Sequence, residues 1–177
     1  MTRIVPFAIL AVSALVLSGC GSDNPKGYIC PVGTALVDAG SLTALPPGVT
    51  DPARATYKAD LMRIVTDCDY DKDNNTIGMR VRIDFTVTRP PGGGAATYAV
   101  PYFLATTQDG STIVDKKLFT VQAQFEAGQA SINVSDQNTY VITPLPEKRS
   151  TDYAILGGLQ LTKEQLDYNR TVGRFPK

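Results

Sequence analysis

The clearest pattern in the chain is a period of two. In Ile77-Gly78-Met79-Arg80-Val81-Arg82-Ile83-Asp84-Phe85-Thr86-Val87, every odd position is apolar and every even one is polar or glycine. A helix would scatter those apolar side chains around its circumference. An extended strand puts them on one face, so the segment predicts a half-buried strand with one wet side. Looser versions of the pattern predict strands over 34–37, 59–70 (Met62, Ile64 and Cys68 in phase), 98–106, 112–125, 130–134 with a continuation to 142, and 152–161. Pro101 lies inside one of them and predicts an edge or a bulge there, since proline cannot donate to a ladder. Turn chemistry separates the runs: Asp71 to Asn75, Pro90 to Gly94, Gln108-Asp109-Gly110-Ser111 and Ala127-Gly128-Gln129.

One helix is predicted, at the C-terminus. Thr162 and Gln165 have capping-box spacing, and Leu166 would fold back on Leu161 or Leu159. The fold class is therefore all-β: a single antiparallel β-sandwich of about seven strands with a short C-terminal helix. Leu145-Pro146, a polar stretch and Tyr153-Ala154-Ile155 resemble the approach to a late strand in fibronectin type III domains. That resemblance implies an immunoglobulin-like sandwich with Tyr153 as the tyrosine that bonds back to the corner. Tyr98 with Tyr102, and Phe119 with Phe125, share faces and are expected in the core; the competing reading is an aromatic platform for sugar.

The N-terminus carries a different pattern. One positive charge, Arg3, precedes an apolar run of about 14 residues, shorter than the roughly 20 that span a bilayer. This is the layout of a secretory signal. Leu17-Ser18-Gly19-Cys20 then resembles the lipobox of bacterial lipoproteins. The resemblance implies removal of residues 1–19, a diacylglycerol thioether on Cys20, and a durable membrane anchor. Gly21 follows, and enteric-type lipoproteins kept at the inner membrane carry Asp there, so the periplasmic face of the outer membrane is the expected location. Residues 20–27 read as the lipidated cysteine and a tether reaching about 15 Å, and 28–177 as the sandwich domain with its helical tail.

Composition narrows the chemistry. The 17 basic and 17 acidic residues balance, which removes any chain-wide field for gathering nucleic acid. There is no histidine, so Ser-His-Asp and Cys-His catalysis and histidine metal ligation are excluded. With Cys20 acylated, Cys30 and Cys68 remain in an oxidising compartment and are expected to pair. Closing that loop of about 39 residues is worth roughly 4 kcal/mol by chain entropy.

Asp69, Asp71 and Asp73 match the first oxygen-ligand positions of an EF-hand loop, but Asn74 stands at the glycine position and Arg80 at the bidentate glutamate. The segment reads as an acidic hairpin tip and no metal or other cofactor is expected. Asp115-Lys116-Lys117 and Pro146-Glu147-Lys148-Arg149 read as charged edge or loop positions, and Arg170, Arg174 and Lys177 as a mildly basic tail.

Tyr28-Ile29-Cys30-Pro31, Cys68-Asp69-Tyr70-Asp71 and the run from Gly158 to Arg170 resemble an uncharacterised group of small bacterial envelope lipoproteins. The resemblance implies architecture and location and carries no activity. The expected function is a lipid-anchored, non-catalytic interaction or scaffolding module with an envelope protein partner, presenting 71–76, 90–96 or 162–177. The alternatives are a ligand-binding lipoprotein for a lipid, sugar or cation, and an enzyme built on a carboxylate pair.

Overall fold

A computed structural model describes residues 29–144 and 148–172. The leader, Cys20 and the tether lie outside the described residues, as do Tyr28, Leu145, Pro146, Glu147, Arg174 and Lys177.

Eight strands form in chain order: β1 (Val32–Ala35), β2 (Ser41–Ala44), β3 (Tyr57–Asp71), β4 (Thr76–Thr88), β5 (Ala96–Gln108), β6 (Thr112–Phe125), β7 (Ser131–Ile142) and β8 (Tyr153–Leu159). The helix α1 (Lys163–Val172) follows. They build an all-β sandwich. One sheet has the order β1-β8-β5-β6 and the other β2-β3-β4-β7. Every pairing is antiparallel except that of β1 with β8, which is parallel. Consecutive strands pair as the hairpins β3–β4 and β5–β6, and the longer-range neighbours are β4–β7 and β5–β8. That strand order differs from the ABED and CFG sheets of an immunoglobulin constant domain. Tyr153 is buried as the first residue of β8.

The alternation in β4 holds throughout: Ile77, Met79, Val81, Ile83, Phe85 and Val87 are all buried and meet Val100, Tyr102, Leu104 and Leu159 of the opposite sheet. The aromatic side chains join this core. Tyr102 packs on Phe85 and Phe119 with centroids 5.3 Å apart in each case, and Tyr98 lies edge-on to Phe125 at 5.7 Å.

Two expectations are corrected by local backbone geometry. In β3 the register shifts between Leu61 and Arg63, which leaves Met62 as an extra residue, 61% exposed. The bulge flips the phase, so Ala59 and Leu61 face inward before it and Ile64 and Cys68 after it. Pro101 is not on an edge, because β5 lies between β8 and β6. Its carbonyl accepts from Gln160 N at 2.9 Å, just beyond the last β8 pair at Leu159. Its nitrogen points the same way, so the bond proline cannot make is the reciprocal one to the carbonyl of Gln160, an exposed residue at the end of the ladder that water can serve.

Cys30 and Cys68 are joined, with Cα atoms 5.7 Å apart. Cys30 precedes β1 in one sheet and Cys68 lies in β3 of the other, so the disulfide ties the two layers together. Beside it, β1 runs so close to β3 that a Cβ on Gly33 would sit 2.6 Å from Ile64 Cγ2.

The far end of the sandwich is closed by Arg89. It is buried without a carboxylate and donates to four carbonyls: Gln129 at 2.8 Å, Gly94 at 2.7 Å, Gly93 at 3.3 Å and Glu126 at 2.8 Å. Its guanidinium carbon lies 4.7 Å from the Phe125 ring centre. The loop 90–94 and the turn 126–129 are thereby fixed to each other.

Two stability measurements follow. Replacing both cysteines, Cys30→Ser with Cys68→Ser, should lower unfolding free energy in urea by about 4 kcal/mol at unchanged native strand content. Arg89→Leu should cost about 2 kcal/mol, because the charged hydrogen bonds to four part-buried loop carbonyls are lost; a cost below 0.5 kcal/mol would mean the clamp is idle.

Candidate functional site

The acidic hairpin is occupied by its own contacts. Arg80 Nη1 donates to Asp69 at 3.0 Å, and Arg80 Nε donates to Asp67 at 3.0 Å. Asp71 caps its turn, accepting from Asn74 Nδ2 at 2.7 Å and from the backbone N–H groups of Asp73 at 3.0 Å and Asn74 at 3.2 Å. Those bonds hold the Asp71 carboxyl below its ordinary range, the Asn74 side chain foremost. Asp73 lies in the turn itself. Among the described residues no three acidic or cysteine side chains converge as metal ligands. Other carboxylates also face cations: Asp109 takes Lys148 Nζ at 2.8 Å, and Asp152 takes Arg149 Nη2 at 3.3 Å.

The two outer faces differ in kind. Reading across the β2-β3-β4-β7 sheet, the outward rows are Asp60-Thr86-Asn133, Arg63-Asp84-Ser135, Val65-Arg82-Gln137 and Asp67-Arg80-Thr139. Ion pairs lace them: Arg63 bonds Asp84, and Arg82 Nε lies 3.4 Å from the same carboxylate. This face is mainly polar and its charges pair internally, with Val65 and Val141 exposed among them.

Across the other sheet the outward rows read Thr34-Leu156-Ala105-Lys116 and Gly158-Phe103-Leu118, with Val32 beside Ala154. Phe103, Ala105 and Ala39 form a second apolar cluster, separate from the main core, with Leu156 and Leu161 packed on it. Leu118 stands 64% exposed at its margin. The sequence carried a sign of this in β5, where Ala99, Pro101, Phe103 and Ala105 occupy the parity that is polar in β4. A strand apolar at both parities has no wet face. Lys116, expected only as an edge-protecting charge, lays its ammonium 4.4 Å over the Phe103 ring.

Two neighbours rise from this face and form a groove. After β1 the chain makes a 3₁₀ turn, Val37–Ala39, and after β8 it enters α1. The turn sits directly on the sheet because residue 158 is glycine: a Cβ there would meet Ala39 Cβ and Phe103 Cζ at 2.8 Å each. The expected capping box forms, with Thr162 N donating to Gln165 Oε1 at 2.9 Å and Gln165 N to Thr162 Oγ1 at 3.3 Å. No residue of α1 is buried. Polar contacts hold it: Asn169 Nδ2 donates to the carbonyls of Asp38 at 2.9 Å and Ser41 at 2.8 Å, Gln165 Nε2 to that of Thr43 at 3.2 Å, and Arg170 pairs with Asp38 at 3.1 Å.

A helix held by its polar side leaves the apolar floor beside it uncovered. The result is an open groove of about 590 Å³ over Phe103 and Leu161, walled by Leu36 and Val37 on one side and Leu166 on the other. Val37 is 62% exposed. Lys116 and Arg170 stand at its rim. The volume lies in the range of small-molecule sites, with an apolar lining and few polar groups.

The hydrophilic face supplies a pH test. Burial opposes the charge of Asp84, but the Ser135 hydroxyl at 2.7 Å and the Arg63 and Arg82 guanidiniums outweigh it and hold the carboxyl below its ordinary value. A depressed carboxyl adds stability above the unfolded value, near 4, and loses it as pH falls through the folded one. Asp84→Asn should therefore cost about 1 kcal/mol at pH 7, with the gap to wild type closing below about pH 4 in urea titrations. No protein-family model matches the chain, and comparison with curated proteins and with solved structures finds no match.

Proposed function

We propose that the chain is an exported lipoprotein, held by an acylated Cys20 at the periplasmic face of the outer membrane, whose sandwich acts as a non-catalytic docking module. We further propose that it docks through the outer face of the β1-β8-β5-β6 sheet. The observation that carries this reading is the contrast between the two sheets. One outer face carries its own ion pairs around the isolated exposed side chains Val65 and Val141, and the other carries a second apolar cluster with a groove beside it, Val37 in its wall and Leu118 exposed on the same sheet. Contiguous apolar surface on a folded domain marks a contact site.

Supporting it are the lipobox at Leu17 to Cys20 and the absence of histidine from the sequence. Carboxylates such as Asp67, Asp84 and Asp109 face cationic partners and not one another. Among the described residues no helix is long and apolar enough to cross a membrane. The loops 71–76 and 90–96 give way to the sheet face as the preferred contact surface.

The test has two arms. Cys20→Ala should abolish incorporation of labelled palmitate and shift the protein out of the membrane fraction. A photocrosslinking residue at Leu118 should give envelope adducts in intact cells, and the same residue at Arg82 should give none. Unlabelled wild type recovered from the cytoplasm would overturn the anchor, and equal crosslinking from both faces would overturn the docking surface.

A further inference from the structure

Resting on the reading of that sheet face as the docking surface, we infer that the groove beside α1 is a binding site for a medium-chain fatty acid, its acyl chain on the Phe103 floor and its carboxylate at Lys116.

Charge points to the head group. Lys116 lines the rim and, among the described residues, makes no ion pair; its ammonium rests on the Phe103 ring. The other rim cation, Arg170, is already shared between Asp38 at 3.1 Å and Asp167 at 4.0 Å. An ammonium set over hydrocarbon with no acid of its own is complementary to an anion carried on an apolar stem.

Backbone accounting points to the stem. A peptide laid in the groove would bring its own N–H and C=O groups, each needing a partner. Several of the groove's own are already spent. Leu36 N is spent on Gly157 O and Gln160 N on Pro101 O. In the 3₁₀ turn, the carbonyls of Leu36 and Val37 accept from Ala39 and Gly40, and that of Asp38 accepts from Asn169. β5 is flanked by β8 and β6 on its two sides, so its ladder groups are committed over the floor. An acyl chain needs no such partners and asks only for apolar contact. From α1 the groove takes Leu166 and Arg170, one turn apart, a wall of about 6 Å that continues onto the floor at Phe103 and Leu161. A second copy of the chain fits less well, because a two-fold contact centred on this face would bring two unpaired Lys116 side chains together.

The experiment uses the oxidised full chain carrying Cys20→Ser, so that no attached lipid competes, titrated with fatty acids of eight to fourteen carbons below their micelle concentrations and read by calorimetry. The inference expects saturable one-to-one binding that tightens about two- to fourfold with each added methylene until the groove is filled. Lys116→Glu should weaken the carboxylates at least tenfold while leaving the matching alcohols unchanged, and lysophospholipids should bind no better than those alcohols. Leu166→Asp should weaken every chain length, and Arg82→Glu on the opposite face should weaken none.

Affinity that ignores chain length, or that survives both Lys116→Glu and Leu166→Asp, places the binding elsewhere and overturns the inference. So does a stable dimer that excludes every fatty acid. Either failure leaves the crosslinking from Leu118 as the separate measure of whether the face docks a partner.

Discussion

The fold of the candidate site depends on one covalent constraint, the disulfide between Cys30 and Cys68. β1 is a four-residue edge strand with a single, parallel partner, and so short a ladder has little to hold it. The bond fixes the chain just before β1 to the middle of the opposite sheet, and everything downstream is set by that position. β1 hands the chain to the 3₁₀ turn, whose Ala39 settles on Gly158 and Phe103. The same turn offers the Asp38 carbonyl and carboxylate that receive Asn169 and Arg170 of α1. The groove thus has a floor made by the core and walls made by two segments that the disulfide places.

The two sheets divide the work of a small domain. Their inner faces make a core in which β4 supplies six buried side chains and Tyr98 and Tyr102 of β5 with Phe119 and Phe125 of β6 fill the space opposite. Their outer faces meet different demands. The β2-β3-β4-β7 face satisfies its charges internally, which suits a surface that meets only water. The other carries a second apolar cluster with no element fully covering it. Gly157 and Gly158 belong to this arrangement, because β8 is approached closely from both sides: Leu104 and Ile64 on the inner face, Ala39 and Phe103 on the outer.

Much of the architecture was legible in the sequence because it follows from period and pairing. β4 was clear, since a strict alternation has one extended solution. The helix cap was clear from Thr162 and Gln165, and the disulfide was anticipated from two cysteines expected to remain after acylation of Cys20. β2 was not legible: Ser41-Leu42-Thr43-Ala44 alternates, but four residues are too few to establish a period, and its omission reduced eight strands to seven. Met62 misled because a bulge changes the phase, and nothing in the local residues marks it. Arg89 was invisible for a related reason: its four carbonyl partners come from loops that the fold alone brings together. The groove was half legible. The loss of alternation in β5 announced a dry outer face, but only the register shows that Lys116 and Phe103 share it.

The central claim is that the inter-sheet disulfide holds the groove's walls while the rest of the sandwich stands without it. Hydrogen exchange on the oxidised and reduced protein measures this residue by residue. The account predicts that reduction strips protection from the Leu36 amide, the 3₁₀ turn and the Leu166 amide of α1, while amides of β4 and β7 keep theirs. Uniform loss of protection across both sheets, or full retention at Leu36 and Leu166, would contradict it.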